Sequence, residues 1–120
     1  MKRNYLIYLK DILKNIELTE KFIKNLTFDE FSCDEKTQYA VIRSIEIIGE
    51  ASKKIPEEIR DIDKDIPFKE MSGMRDKLIH FYFGVNLNLI WKAITEEIPI
   101  VKGKIITLID ELSDQTKLDI

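Results

Sequence analysis

One histidine, His80, and one cysteine, Cys33, are the whole supply of imidazole and thiol in these 120 residues. A lone thiol excludes an intramolecular disulfide and a CxxC centre. Without an HExxH pattern or a convincing carboxylate cluster, no metal or cofactor is expected either. Glycine and proline are scarce, at four and three residues, and apolar–polar alternation is nowhere sustained, which argues against a sheet-built fold. The early apolar run Tyr5 to Leu9 is stopped by Lys10 and Asp11. It is too short for a signal-peptide core or a membrane span, so the expectation is a soluble, cytoplasmic protein with no membrane partner. The net charge of −3 and pI near 5.3 exclude a broad basic surface that coats nucleic acid, but leave room for a local cationic site.

What is present is helical periodicity, with apolar residues returning at three and four. A first helix is expected from about Asn4 to Leu26, with Leu6, Leu9, Leu13, Ile16 and Ile23 on one face and Tyr5, Tyr8 and Ile12 widening it. Thr27-x-x-Glu30 and Ser32-x-x-Glu35 both fit the capping-box pattern and mark the break to a second helix. That helix should run from about Cys33 to Lys54, with Val41, Ile45, Ile48 and Ile55 as one apolar row and Ala40, Ile47 and Ala51 beside it. Pro56 stops it. The charged stretch Pro56 to Pro67 suggests a short helical turn over Glu57 to Ile62, then a loop.

A third helix is expected from Pro67 or Phe68 to Phe83, with Gly84 in the left-handed position after its end. Asn86 should cap a fourth, whose stripe is Leu87, Ile90, Trp91, Ile94 and Ile98. Pro99 kinks or divides it, Val101, Ile105, Leu108 and Leu112 continue the pattern, and residues 113–120 should fray. The fold class expected is all-α: an antiparallel bundle of four to five helices forming a single domain over 1–120.

His80 is the natural proton carrier, because only histidine has an unperturbed pKa near neutrality. Arg75 precedes it by five residues, and a guanidinium matches phosphate or carboxylate oxygens. On one continuous helix the two would lie about 140° apart around the axis and about 7.5 Å along it. That separation suits a cleft shared by two copies of the chain, hence a homodimer. His80 would then sit in the last turn before Gly84, where free carbonyls favour its cation. RNA carries its own nucleophile, so an Arg–His pair without a metal points to RNA over DNA. Arg43, Glu46, Glu50 and Lys53 fall along one side of the second helix. They read either as a solvated face or, for Arg43 and Glu46, as a polar wall beside the site.

Arg75-x4-His80-x-Tyr82 resembles the R-x4-H-x-Y motif of the HepT-like toxins, within the HEPN class. The likeness extends through Arg43-Ser44-Ile45-Glu46-Ile47-Ile48-Gly49-Glu50-Ala51, Lys54-Ile55-Pro56-Glu57, Ile66-Pro67-Phe68-Lys69-Glu70 and Gly73 to Val85. It implies a HEPN-type bundle that dimerises. It also implies a metal-independent endoribonuclease, the toxin of a type VII pair, with Arg75 and His80 catalytic. Tyr82 would be the hydroxyl that an MntA-like nucleotidyltransferase antitoxin modifies with AMP. Where the family often has Asn after the arginine, this chain has Asp76, a carboxylate placed to orient Arg75 or His80. The alternative is a non-catalytic module that binds nucleotide or RNA beside a minimal nucleotidyltransferase. Phe81, Phe83 and Trp91 read as core or dimer-interface groups rather than base platforms, and Cys33 as inert. Gly73, costing about 1 kcal/mol inside a helix, points to close packing or a partner's approach.

Overall fold

The computed structural model describes residues 4–80 and 84–118, and among them the fold is an all-α bundle. Helix α1 (Asn4–Phe22) packs against both α3 (Glu35–Lys53) and α8 (Ile98–Leu118), and α3 packs in turn against α5 (Phe68–Ser72) and α6 (Met74–Leu78). The apolar rows explain this order. Leu9, Ile12 and Ile16 of α1, Val41, Ile45 and Ile48 of α3, and Ile105, Leu108 and Leu112 of α8 are all fully buried or nearly so. Each such side chain contributes about 1.5–3 kcal/mol of transfer free energy. Thr19, Ser52 and Asn15 are also buried, and each turns its side chain back to its own helix: the hydroxyls donate to the Ile16 and Ile48 carbonyls at 2.7 Å, and the Asn15 amide to that of Asp11 at 2.9 Å. Lys102 of α8 donates to Glu20 of α1 at 2.7 Å, tying the two helices together at their surface.

The caps mark where each helix begins. α1 stops at Phe22, before the expected Leu26, because the chain turns through Asn25 in the left-handed region at φ 65°, a conformation Asn tolerates better than most residues. Thr27 and Glu30 form the full capping box of α2 (Phe28–Ser32), with N–H donations of 3.2 Å to Thr27 and 2.9 Å to Glu30. The Ser32-x-x-Glu35 box does not form. Ser32 donates instead to the Asp29 carbonyl, and Asp34 caps α3 by accepting from the Thr37 N–H at 3.0 Å and its hydroxyl at 2.6 Å. These two hydrogen bonds hold the Asp34 carboxyl below its ordinary value of 3.8. The expected turn after Pro56 is α4 (Glu57–Arg60).

Two features of the second half depart from expectation. The helix expected over 67–83 is divided at Gly73, which caps α5 with its N–H on the Lys69 and Glu70 carbonyls. It then ends at Leu78, where Ile79–His80 (β1) pairs antiparallel with Gly84–Val85 (β2), Ile79 opposite Val85 and His80 opposite Gly84. Ile79 and Val85 are β-branched and favour extended backbone, and at these positions that preference prevails over helix propagation. The expectations placed on Phe81, Tyr82 and Phe83 lie outside the described residues. The Asn86 N–H donates to the Leu78 carbonyl at 3.1 Å, and its side chain caps α7 (Leu87–Lys92) by accepting from Leu89 at 3.1 Å.

Between α7 and α8 lies a π-helical turn, Ala93–Glu97. Pro99 has no N–H to donate to the carbonyl four residues back and its ring clashes with that carbonyl, and the wider turn relieves the clash while the rod continues. α8 then keeps helical backbone through Leu118, beyond the Ser113 from which fraying was expected, since no proline or glycine follows Gly103 to interrupt it.

Gly49, not Gly73, marks the close approach of two elements. A Cβ added at Gly49 would lie 3.4 Å from the carbonyl oxygens of both Met71 and Ser72, whereas at Gly73 the nearest atoms stand 4.0 Å away. Gly49→Ala should therefore leave stability nearly unchanged, its helix-propensity gain offsetting a tight contact. Gly49→Val should lower it by about 1–3 kcal/mol through overpacking, as read from urea unfolding. The Asp34 shift gives a second expectation with a definite sign. A depressed folded pKa adds stability that is fully present above the ordinary carboxyl value and is lost as pH falls through the folded value. Asp34→Asn should flatten that part of the acid limb in a pH series of unfolding midpoints.

Candidate active site

Arg75 lies in the first turns of α6, one residue after buried Met74 and three before buried Leu78. Those two apolar anchors turn Arg75 toward α3. There its Nε donates to Glu46 Oε2 at 2.9 Å, a contact across 29 positions of sequence that links the two elements. Glu46 is only 29% exposed and also faces Arg43, whose Nη1 lies 3.9 Å from its other oxygen. Asp76 Oδ1 stands 3.6 Å from Arg75 Nη1, but that carboxylate is 78% exposed, so solvent screens much of its pull. The hydrogen bond to Glu46 holds the Arg75 pKa above its ordinary value, with the charges of Glu46 and Asp76 adding to it against the opposing cost of burial. The guanidinium stays cationic throughout the useful pH range, and anchoring its Nε fixes the plane of the fork.

Four of the residues singled out from sequence, Arg43, Glu46, Arg75 and Asp76, thus form one charged cluster. Glu46 contacts Arg75 directly, whereas Arg43, 72% exposed, reaches the cluster through its long contact with Glu46. Glu50 and Lys53 pair with each other at 3.3 Å on the exposed side, as a solvated face would. The backbone of His80 is described and is extended in β1, two residues beyond the end of α6. The separation of 140° and 7.5 Å expected on a continuous helix therefore does not apply, nor does a His80 in the last helical turn. The His80 side chain and all of Tyr82 lie outside the described residues. Trp91 is partly buried and packs against the core, its ring 5.2 Å from that of Phe31 and 6.0 Å from that of Phe28.

Sequence reasoning missed Arg60. Its Nε donates to the Ile55 carbonyl at 2.9 Å and Nη2 to that of Ser52 at 2.8 Å, while its guanidinium lies 5.7 Å from the centre of the Phe68 ring. Arg60 so closes the carbonyl end of α3 and seats the start of α5, which leads into the Arg75 turn. Nothing in the charged stretch around it distinguishes this arginine. A separate cleft of about 530 Å³ lies between α6 and the α7–α8 rod, with Met74, Lys77 and Leu78 along one wall and Ala93 and Ile98 along the other. None of the four clustered residues lines it, so it belongs to the opposite side of α6. Among the described residues no group of three or more His, Cys, Asp or Glu side chains gathers as a metal cluster, and no helix is long and apolar enough to cross a membrane.

The chain matches the family model described as ribonuclease HepT-like over residues 12–108. A protein of Thermococcus cleftensis named "Probable ribonuclease HepT" is 54% identical over 104 residues, covering 87% of this chain and 94% of that relative. A protein of Methanocaldococcus jannaschii with "Putative RNase" in its name is 44% identical over 114 residues, covering 95% and 98% of the two chains. One from Caldanaerobacter subterraneus subsp. tengcongensis, similarly named, is 48% identical over 92 residues, covering 77% and 82%. No solved structure matches. A family match that takes in the α3 wall and the Arg75 turn together, with relatives alike over nearly their full lengths, means that the chain belongs to the HepT-like ribonuclease family.

Proposed function

We propose that this protein is a metal-independent endoribonuclease, the toxin of a type VII HepT/MntA-like pair, acting in the cytoplasm as one domain over residues 1–120 and as a homodimer. The observation that carries the reading is Arg75 of the family motif, held by its Nε on Glu46 within a matching family segment. In the reaction the 2′-hydroxyl of one nucleotide attacks the adjacent phosphorus. His80 removes the hydroxyl proton, Arg75 offsets the extra negative charge on the non-bridging oxygens, and the 5′-oxygen leaves and takes up a proton. The products are a 2′,3′-cyclic phosphate and a free 5′-hydroxyl. A dimer would supply a second His80 to the shared cleft, so that one imidazole accepts a proton while the other donates one.

Control falls to Tyr82. Its phenolic oxygen would attack the α-phosphorus of ATP on the cognate nucleotidyltransferase antitoxin, releasing pyrophosphate and leaving AMP two residues from His80. The added phosphate carries negative charge into a site built to receive RNA phosphate, and repels it.

Purified protein should cut total RNA in excess EDTA and sediment as two chains. His80→Ala and Arg75→Ala should each lose activity about 100-fold or more. Glu46→Ala should lower kcat about 10- to 100-fold with KM little changed, because the arginine is no longer held in place. Intact RNA with the unmodified, folded parent would favour a non-catalytic binding module instead. For the switch, incubation with the antitoxin and ATP should add AMP to the parent, seen by intact mass, and silence it. Tyr82→Phe should gain no mass and should keep cutting in the presence of the antitoxin.

A further inference from the structure

Tyr39, near the start of α3, is 71% exposed, the most open of the large apolar or aromatic side chains among the described residues. Single exposed aromatics are common and require no account by themselves. This one has two further properties. It borders a groove of about 440 Å³ where α2 gives way to α3, lined by Ser32, Cys33, Glu35, Gln38, Tyr39 and Ile42. It also lies on the same side of α3 as the Arg75 cluster. From Tyr39 to Glu46 is seven residues, about 20° short of two full turns and about 10 Å along the axis, with Arg43 between them. Tyr39, Arg43 and Glu46–Arg75 therefore form a row of aromatic, cation and anchored cation along one helix face.

We infer that Tyr39 is a stacking platform for an unpaired base of the RNA strand flanking the phosphate held at Arg75, with Arg43 touching the intervening backbone; this rests on the ribonuclease reading above. A row of guanidiniums leading to a ring is the arrangement that single-stranded nucleic acid requires, phosphates on the cations and a base on the aromatic face. Arg43 is available for this role. Its side chain is 72% exposed and its pairing with Glu46 is long, at 3.9 Å, so little is lost when a phosphate competes for it. The groove itself favours a base over a phosphate. Glu35 on its wall repels a phosphate but accepts hydrogen bonds from the amino and imino groups of a base edge. The amide of Gln38 is fixed beside the ring by donating to the Phe31 carbonyl at 2.8 Å.

The test is binding of a short, unstructured, fluorescently labelled oligoribonucleotide in EDTA to His80→Ala protein, with and without Tyr39→Ala, and with Tyr39→Phe as the conservative replacement. Loss of the ring should weaken Kd about 5- to 100-fold, while Tyr39→Phe should bind as the parent does, since stacking needs the ring and not the hydroxyl. With His80 present, Tyr39→Ala should raise KM with kcat little changed and should shift the positions of cutting. Equal Kd in all three proteins overturns the inference. A Tyr39→Ala protein that binds RNA normally but sediments as a smaller particle also overturns it, assigning Tyr39 to contact with a second copy. If Tyr39→Ala weakens binding but the parent cuts no RNA, the platform stands and the catalytic reading fails.

Discussion

The site depends on how closely α5 can approach α3. Val41, Ile45 and Ile48 commit one side of α3 to the core. On a neighbouring side Gly49 leaves only backbone between the helix and the carbonyls of Met71 and Ser72. Arg60 then fixes the far end, holding the Ile55 and Ser52 carbonyls while its guanidinium lies by Phe68. With α5 fixed at both places, the short α6 that follows has little freedom, and its Arg75 meets Glu46. A side chain at position 49 much larger than a methyl would separate the helices at the position that sets this distance.

The charge at the site is nearly balanced, which is consistent with an acidic protein acting on a polyanion. Arg43 and Arg75 alternate with Glu46 and Asp76. Glu46 contributes orientation more than charge, since a guanidinium anchored at Nε has a defined plane. Asp76, more exposed and farther away, contributes less to that orientation. With a net charge of −3, the chain as a whole offers no long-range attraction to a polyanion.

The chain solves its two local conflicts between helix and sequence differently. At Pro99 the rod absorbs the missing N–H and the ring in one π-helical turn and remains helical on both sides. After Leu78 the chain leaves the helix for a two-residue antiparallel pair, Ile79–His80 with Gly84–Val85, closed by Asn86 on the Leu78 carbonyl. The first is forced by covalent structure at one residue, which sequence displays plainly. The second is a competition between propensities of similar size, so the capping pattern at Gly84 could be read as the end of a longer helix.

The sequence by itself determined the all-α class, the apolar rows of α1, α3 and α8, the Thr27–Glu30 box and the Asn86 cap. Each of these is written in spacing a few residues long, and local hydrogen bonding and burial follow that spacing directly. It also singled out Arg75 and His80 as candidates by residue type and by their match to the family's motif. Tertiary structure decided what spacing cannot encode: Glu46 as the residue holding Arg75 from 29 positions away, Arg60 as the clamp among many charged neighbours, and Gly49 rather than Gly73 as the point of close approach. It also chose Asp34 over Ser32 as the cap of α3 and extended backbone over helix at His80. These outcomes depend on which surfaces meet when the bundle closes, and a contact between distant segments leaves no periodic signal in either of them.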